Sequence, residues 1–211
     1  MTESPTDDIR NLNPHQLDAL REVANIGAGH AATALSQMTS STILISVPRI
    51  RVVPLEEIGL EIGPPEEAVA AVLMGMLGDI TGRTLLVFPK ETAFRLASIF
   101  TRRTIAVDGP LDPLGESALK EAGNIISGAY LNALSEFMGM MLLNSPPDLV
   151  IDMAAAVLTS EEAEFGSGGE YVFCVESEFI MQERNEKLRG FFLLLPDPPS
   201  LRVILKAVRL A

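Results

Sequence analysis

Two Asn residues, each three positions after a Glu, carry the chemical potential of this chain. Glu22 and Asn25 lie in one stretch, and Glu121 and Asn124 lie in another, 99 residues further on. On a helix, Asp18, Glu22 and Asn25 stand at i, i+4 and i+7, on one face. Ser117, Glu121 and Asn124 repeat the pattern, and Gly29 and Gly128 follow one turn after each Asn. A carboxamide both accepts and donates hydrogen bonds, so it can hold a small polar molecule such as water in a fixed orientation. A carboxylate one turn away can meet a cation. On either helix alone such a stripe is an ordinary solvated face. Gly inside a helix costs up to about 1 kcal/mol relative to Ala. Two such glycines, at equivalent positions, predict close approach of another backbone beside the stripe.

Other chemistries have little material here. His15 and His30 are the only histidines and Cys174 is the only cysteine. No zinc motif, His-based triad, disulfide or phosphate-binding glycine loop can be assembled from them. Sixteen Lys+Arg against 28 Asp+Glu give a net charge of −12, which argues against nucleic acid and anionic lipid as partners. A partner presenting a basic patch suits this balance. The longest apolar run, Ala68 to Gly78, falls well short of the about 20 residues a membrane span needs. The acidic, polar start of the chain carries no signal-peptide pattern, and a reducing cytoplasm is the expected location.

The Glu-Asn pairs belong to an internal repeat. Arg21–Ile26 resembles Lys120–Ile125, and Pro48 answers to Pro147 at the same offset. Later in the chain Leu85–Pro89 resembles the stretch ending at Pro196, with eight more residues of offset, which places extra residues near Ser160–Glu170. Each half reads α-β-β-β-α. The long helices are expected over 14–39 and 114–143, the strands over 43–53, 68–77 and 82–88, then 148–155, 171–180 and 188–195, and the closing helices over 90–103 and 198–210. The fold class is therefore α+β, one domain of two homologous halves (about 1–105 and 106–211) with pseudo-two-fold symmetry, sharing one sheet. Leu17, Leu20, Ala24, Ala28, Ala31, Leu35 and Met38 form the core stripe of the first helix. Leu119, Ile126, Tyr130, Leu134 and Phe137 form that of the second. Cys174 and Met74, Met76, Met138, Met140 and Met141 are read as core, His30 as surface, and the acidic tract Glu161–Glu164 as a solvated loop. Pro48 and Pro147 suit strand starts or edges.

The spacing [Asp/Ser]-x3-Glu-x2-Asn-x22-Pro resembles the signature of the CheC-type phosphatases of chemotaxis. Asp18, Glu22, Asn25 and Pro48 match it, and so do Ser117, Glu121, Asn124 and Pro147. Two intact copies are similar to the CheC subtype of the CheC/CheX/FliY family. The resemblance implies an antiparallel shared sheet flanked by the two motif helices. It also implies hydrolysis of the aspartyl phosphate of the response regulator CheY. Asn25 and Asn124 would position the in-line water, and Glu22 and Glu121 would engage the regulator's Lys. Asp18, Ser117, Gly29 and Gly128 would face the partner, and Pro48 and Pro147 would shape the turn from helix to strand. No cofactor of its own is implied, since Mg²⁺ sits in the regulator's site. CheD, a receptor-modifying deamidase, is a further partner the resemblance suggests. The other class of function is a non-catalytic module that docks on a response regulator or on CheD. A monomer is expected, since the duplication already pairs the halves.

Overall fold

The computed structural model describes residues 12–165 and 171–210. The N-terminal stretch read above as lacking a signal therefore lies outside the described residues. The first half runs α1 (Pro14–Thr39), β1 (Ile43–Pro54), a 3₁₀ turn (Leu55–Glu57), α2 (Gly59–Ile62), β2 (Ala68–Gly78), β3 (Gly82–Pro89) and α3 (Lys90–Thr101). The second runs α4 (Pro113–Met138), β4 (Leu142–Asn144), β5 (Asp148–Met153), α5 (Ala154–Phe165), β6 (Tyr171–Met181), β7 (Glu186–Pro196) and α6 (Pro198–Leu210).

The two long helices begin and end by the same local chemistry. Asn13 caps α1 and Asp112 caps α4, each followed by Pro in the first turn, where a missing N–H goes unnoticed. Asn13 and Gln16 exchange side-chain and backbone hydrogen bonds as a capping box. Left-handed residues stop both helices: Ser40 at φ 53° and Gly139 at φ 65°. The expected helix over 114–143 is thus five residues too long. Gly139 turns the chain out, and the apolar residues that follow enter β4 instead.

The strands form one antiparallel sheet in the order β1-β6-β7-β3-β2-β4, with β5 also on β2. The local axis lies between β7 and β3. Each half gives its first extended segment to the other: β1 pairs with β6, and β4 and β5 with β2. The halves are interleaved, not merely apposed. Pro48 lies on the edge strand β1, within a register shift between Ser46 and Arg49, and Pro147 immediately precedes β5. A residue without an N–H fits both places.

One face of the sheet carries α1, α4, α3 and α6 over the larger core, in which Leu35, Leu86, Leu119, Phe179 and Ile204 are almost inaccessible. The other face is covered by the 3₁₀ turn, α2 and α5 through Leu55, Ile58, Ile62, Ala154, Val157 and Leu158. Here the structure corrects the reading of 161–164. These residues continue α5, and Glu161 is 2% exposed, paired with Arg83 of β3 at 3.2 Å. Burial raises the Glu161 pKa and the guanidinium opposes that rise. The residues added in the second half are divided between this helical crossover and a β7 of 11 residues, against 8 in β3.

The helix stripes follow expectation in the middle and fail at the ends. Leu20, Ala24, Ala28, Ala31 and Leu35 are buried, Leu17 is half-buried, and Met38 is exposed in the last turn of α1. In α4, Phe137 is half-buried and the other expected core residues are buried. Met74 and Met76 are core, and Met138 and Met140 pack at its margin. Met141 is 60% exposed, a correction: it lies in the turn into β4, where its amide donates to Asp79 Oδ2.

The close helix contact is made by Gly27, not Gly29. A Cβ on Gly27 would stand 2.8 Å from Tyr130 Cδ1 and 2.9 Å from Tyr130 Cα. Backbone atoms cannot swing away. Gly27→Ala is expected to destabilise by about 1–3 kcal/mol through overpacking, of which better helix propensity returns at most about 1 kcal/mol. Urea denaturation of the variant beside wild type measures this.

Candidate functional site

The motif side chains stand on the outward faces of α1 and α4, the two helices that pack together at Gly27 and Tyr130. Asp18, Glu22, Asn25 and Gly29 are exposed, as are Ser117, Glu121 and Asn124, while Gly128 is half-buried. Among the described residues, Glu22, Asn25, Glu121 and Asn124 have no hydrogen-bond or ion-pair partner. Four polar groups with no task in the fold, on two rigid helices, are available to another molecule. Asp18 differs: its carboxylate accepts from Arg21 at 2.9 Å.

The 22-residue gap before each Pro has a geometric cause. The Ile43 amide donates to Ser36 Oγ at 2.9 Å, which fixes where β1 turns back along α1. From Ser36 back to Asn25 the helix travels about 16 Å at ~1.5 Å per residue. From Ile43 to Pro48 the strand returns about 16 Å at ~3.3 Å per residue. Pro48 is thereby brought level with Asn25. In the second half, Ser135 Oγ donates to the Met140 carbonyl at the equivalent turn.

Beside the second motif a neighbouring segment is tied to the helix. Lys120 bonds Glu116 at 2.8 Å and Asp148 at 3.5 Å, so the start of β5 is tied to α4 one turn before Asn124. Its pKa is raised, chiefly by the Glu116 hydrogen bond. One turn after Asn124, a Cβ on Gly128 would lie 3.7 Å from Asn144 Nδ2. The segment from Asn144 to Asp148 therefore runs along α4 past Asn124. At the equivalent positions of the first half, Arg21 pairs with Asp18, and Arg49 with Glu176 at 3.9 Å.

The expected backbone approach at Gly29 and Gly128 is absent. Nothing lies within 4 Å of a Cβ at Gly29, and only the Asn144 side chain lies near one at Gly128. Gly115 meets Leu111 and Ile105 of the segment before α4, and two helical glycines are pressed by other elements: Gly27, and Gly123 against Val72, with contacts down to 2.6 Å. No local pattern distinguishes them, because the clash comes from another element. His30 is exposed.

Both motif faces are open surfaces. A hollow of about 270 Å³ near the end of α3, lined by Arg95, Arg102, Arg103 and Arg184 among others, contains no motif residue. Open helix faces suit docking of a folded partner better than capture of a small substrate. Among the described residues, no group of three or more His, Cys, Asp or Glu is placed to hold a metal ion, and no helix is long and apolar enough to cross a membrane. Cys174 is buried, and burial, aided by Glu61 and Glu176, pushes its thiol up to about 12. It is expected to resist a thiol reagent at neutral pH and to react once on denaturation, which an Ellman titration with and without urea measures.

Comparison with known proteins follows the same residues. The model of the CheC-like family matches residues 16–51 and 114–151, the two segments that contain the complete motifs. The chain is 33% identical over 206 residues to the CheY-P phosphatase CheC of Bacillus subtilis, covering 95% of this chain and 97% of that one. It is 29% identical over 152 residues to the flagellar motor switch phosphatase FliY of the same organism, covering 70% of this chain and 38% of that protein. The fold is similar to the crystal structure of Thermotoga maritima FliY, with TM-score 0.74 at 23% identity over 94% of this chain and 98% of that one. It is also similar to the FliM middle domain from H. pylori, with TM-score 0.64 at 14% identity over 93% and 99%.

Proposed function

The chain belongs to the CheC-like family, and from that premise we propose that it hydrolyses the aspartyl phosphate of a CheY-type response regulator. The observation that carries this reading is the pair of exposed Glu-Asn stripes, duplicated on two helices and without partners in the fold. Phosphoryl transfer needs positioning and charge stabilisation more than a covalent partner. The regulator supplies Mg²⁺, a Lys and an acidic pocket, and this chain supplies the orientation of water. Asn25 or Asn124 accepts a hydrogen bond from a water through its amide oxygen and donates one to the water's oxygen, aiming it in line with the bond to the aspartate. The water oxygen bonds to phosphorus, the P–O bond to the aspartate breaks, and the proton is lost to solvent. Glu22 and Glu121 meet the regulator's Lys and hold the Asn in register. No nucleophile of this chain takes part.

Phosphate release from an aspartyl-phosphorylated CheY-type regulator with Mg²⁺ tests this, with the chain at about one part in a hundred. Repeated turnovers, faster than the regulator's own decay, are expected. Binding without acceleration would instead favour the docking module. CheD is proposed as a second partner, on a face away from the motif helices, and a pulldown that retains CheD with the double Asn→Ala variant would support it.

A further inference from the structure

The two sites are not equivalent, and one side chain outside the motifs distinguishes them. Asn144 ends β4, and its Nδ2 lies 3.7 Å from where a side chain on Gly128 would begin. Gly128 is one turn beyond Asn124, about 6 Å along α4. Neither end of the Asn144 amide has a hydrogen bond among the described residues, and its Oδ1 is buried. A buried carbonyl oxygen left unpaired costs stability, so the fold gains nothing from an amide in this pose. With Oδ1 turned inward, Nδ2 is the end left to donate. The absence of a side chain at position 128 keeps it uncovered. The first half has Ile45 at the equivalent position, half-buried against the core.

Resting on the phosphatase reading above, we propose that Asn144 is a substrate-contacting residue of the second site alone. Its Nδ2 donates a hydrogen bond to an anionic oxygen of the docked regulator's phosphorylation pocket, either a phosphoryl oxygen or a pocket carboxylate. The second site thereby presents two carboxamides, Asn124 to the water and Asn144 to the anion. The Lys120–Asp148 pair anchors the opposite end of the segment that carries Asn144. Donation to a charged acceptor is the stronger kind of hydrogen bond, and its loss is expected to cost about tenfold.

The test isolates each site in the full chain. Glu22→Arg/Asn25→Ala, which removes the first site's water and repels the regulator's Lys, leaves the second site to be read, and Glu121→Arg/Asn124→Ala the first. Asn144→Ile, which installs the residue of the first half, is added to each, with Asn144→Asp as a near-isosteric second variant and thermal melting as the check on folding. In the Glu22→Arg/Asn25→Ala protein, Asn144→Ile is expected to lower kcat/KM and regulator affinity about tenfold, and Asn144→Asp at least as much, because it adds repulsion. Affinity lost only for the phosphorylated regulator assigns the phosphoryl oxygen, and equal loss for both forms assigns a pocket carboxylate. An unchanged rate and affinity in that background would overturn the proposal, as would an equal fall in the Glu121→Arg/Asn124→Ala background. If wild type hydrolyses nothing, the phosphatase reading fails, and the affinity measurement still decides whether Asn144 contacts the regulator.

Discussion

The Asn25→Ala/Asn124→Ala double variant is expected to return regulator dephosphorylation to the regulator's own rate, while still binding the phosphorylated regulator. Both side chains are exposed on regular helix, so the substitution removes no internal bond and raises helix propensity. The variant should therefore be folded and at least as stable as wild type. What it loses is the fixed position of a water, and misplacing a reacting atom by about 1 Å can cost 10²-fold. A loss of that size or more in each site is expected, with the single variants apportioning the remaining rate. In the proposed mechanism Glu22 and Glu121 retain the contact with the regulator's Lys, so the effect is expected in turnover and not in affinity. Phosphate release, paired with a direct binding measurement on the same samples, separates the two.

Tyr130→Ala is expected to be severely destabilising. The side chain is 4% exposed and stacks on Phe192 with centroids 4.6 Å apart. Its hydroxyl meets Ser177 Oγ at 3.0 Å, and the ring fills the gap left by Gly27. It also lines a cavity of about 50 Å³ between α1, α4 and the sheet, which truncation would enlarge. Large-to-small changes of this kind cost about 3–5 kcal/mol. For a domain of this size that lowers Tm by roughly 10–15 °C. Tyr130→Phe keeps the ring and removes only the bond to Ser177, at about 1 kcal/mol. Thermal melts of the two variants check both the size and the order. Burial raises the Tyr130 pKa to about 12, so the phenol remains protonated throughout the ordinary pH range.

The repeat made much of this molecule legible from residues alone. The 99-residue offset that aligns Asn25 with Asn124 also aligns Ser40 with Gly139, so the end of α4 was available from the repeat. Apolar periodicity obscured it, since Met140–Leu143 continue a helical pattern while entering β4. The motif residues were visible because polar positions recurred at one turn on two helices, a local property. What stayed hidden depends on contact between distant segments. Glu161 looks solvated until Arg83, 78 residues away, is placed beside it. Gly27 looks like any helical glycine until Tyr130 faces it. The exchange of β1 and β5 between the halves, the Lys120–Asp148 tie and the placement of Asn144 arise only when the sheet closes.

The central claim is that a solvent water, held by Asn25 or Asn124, takes the phosphoryl group directly. The most direct measurement is to let substoichiometric wild-type chain act on the phosphorylated regulator in ¹⁸O-labelled water, then analyse the released phosphate and the chain by mass spectrometry. One solvent oxygen in each released phosphate, with no phosphoryl group on this chain at any time, is the predicted result. A phosphorylated form of this chain during turnover, or phosphate that carries no solvent oxygen, would contradict it.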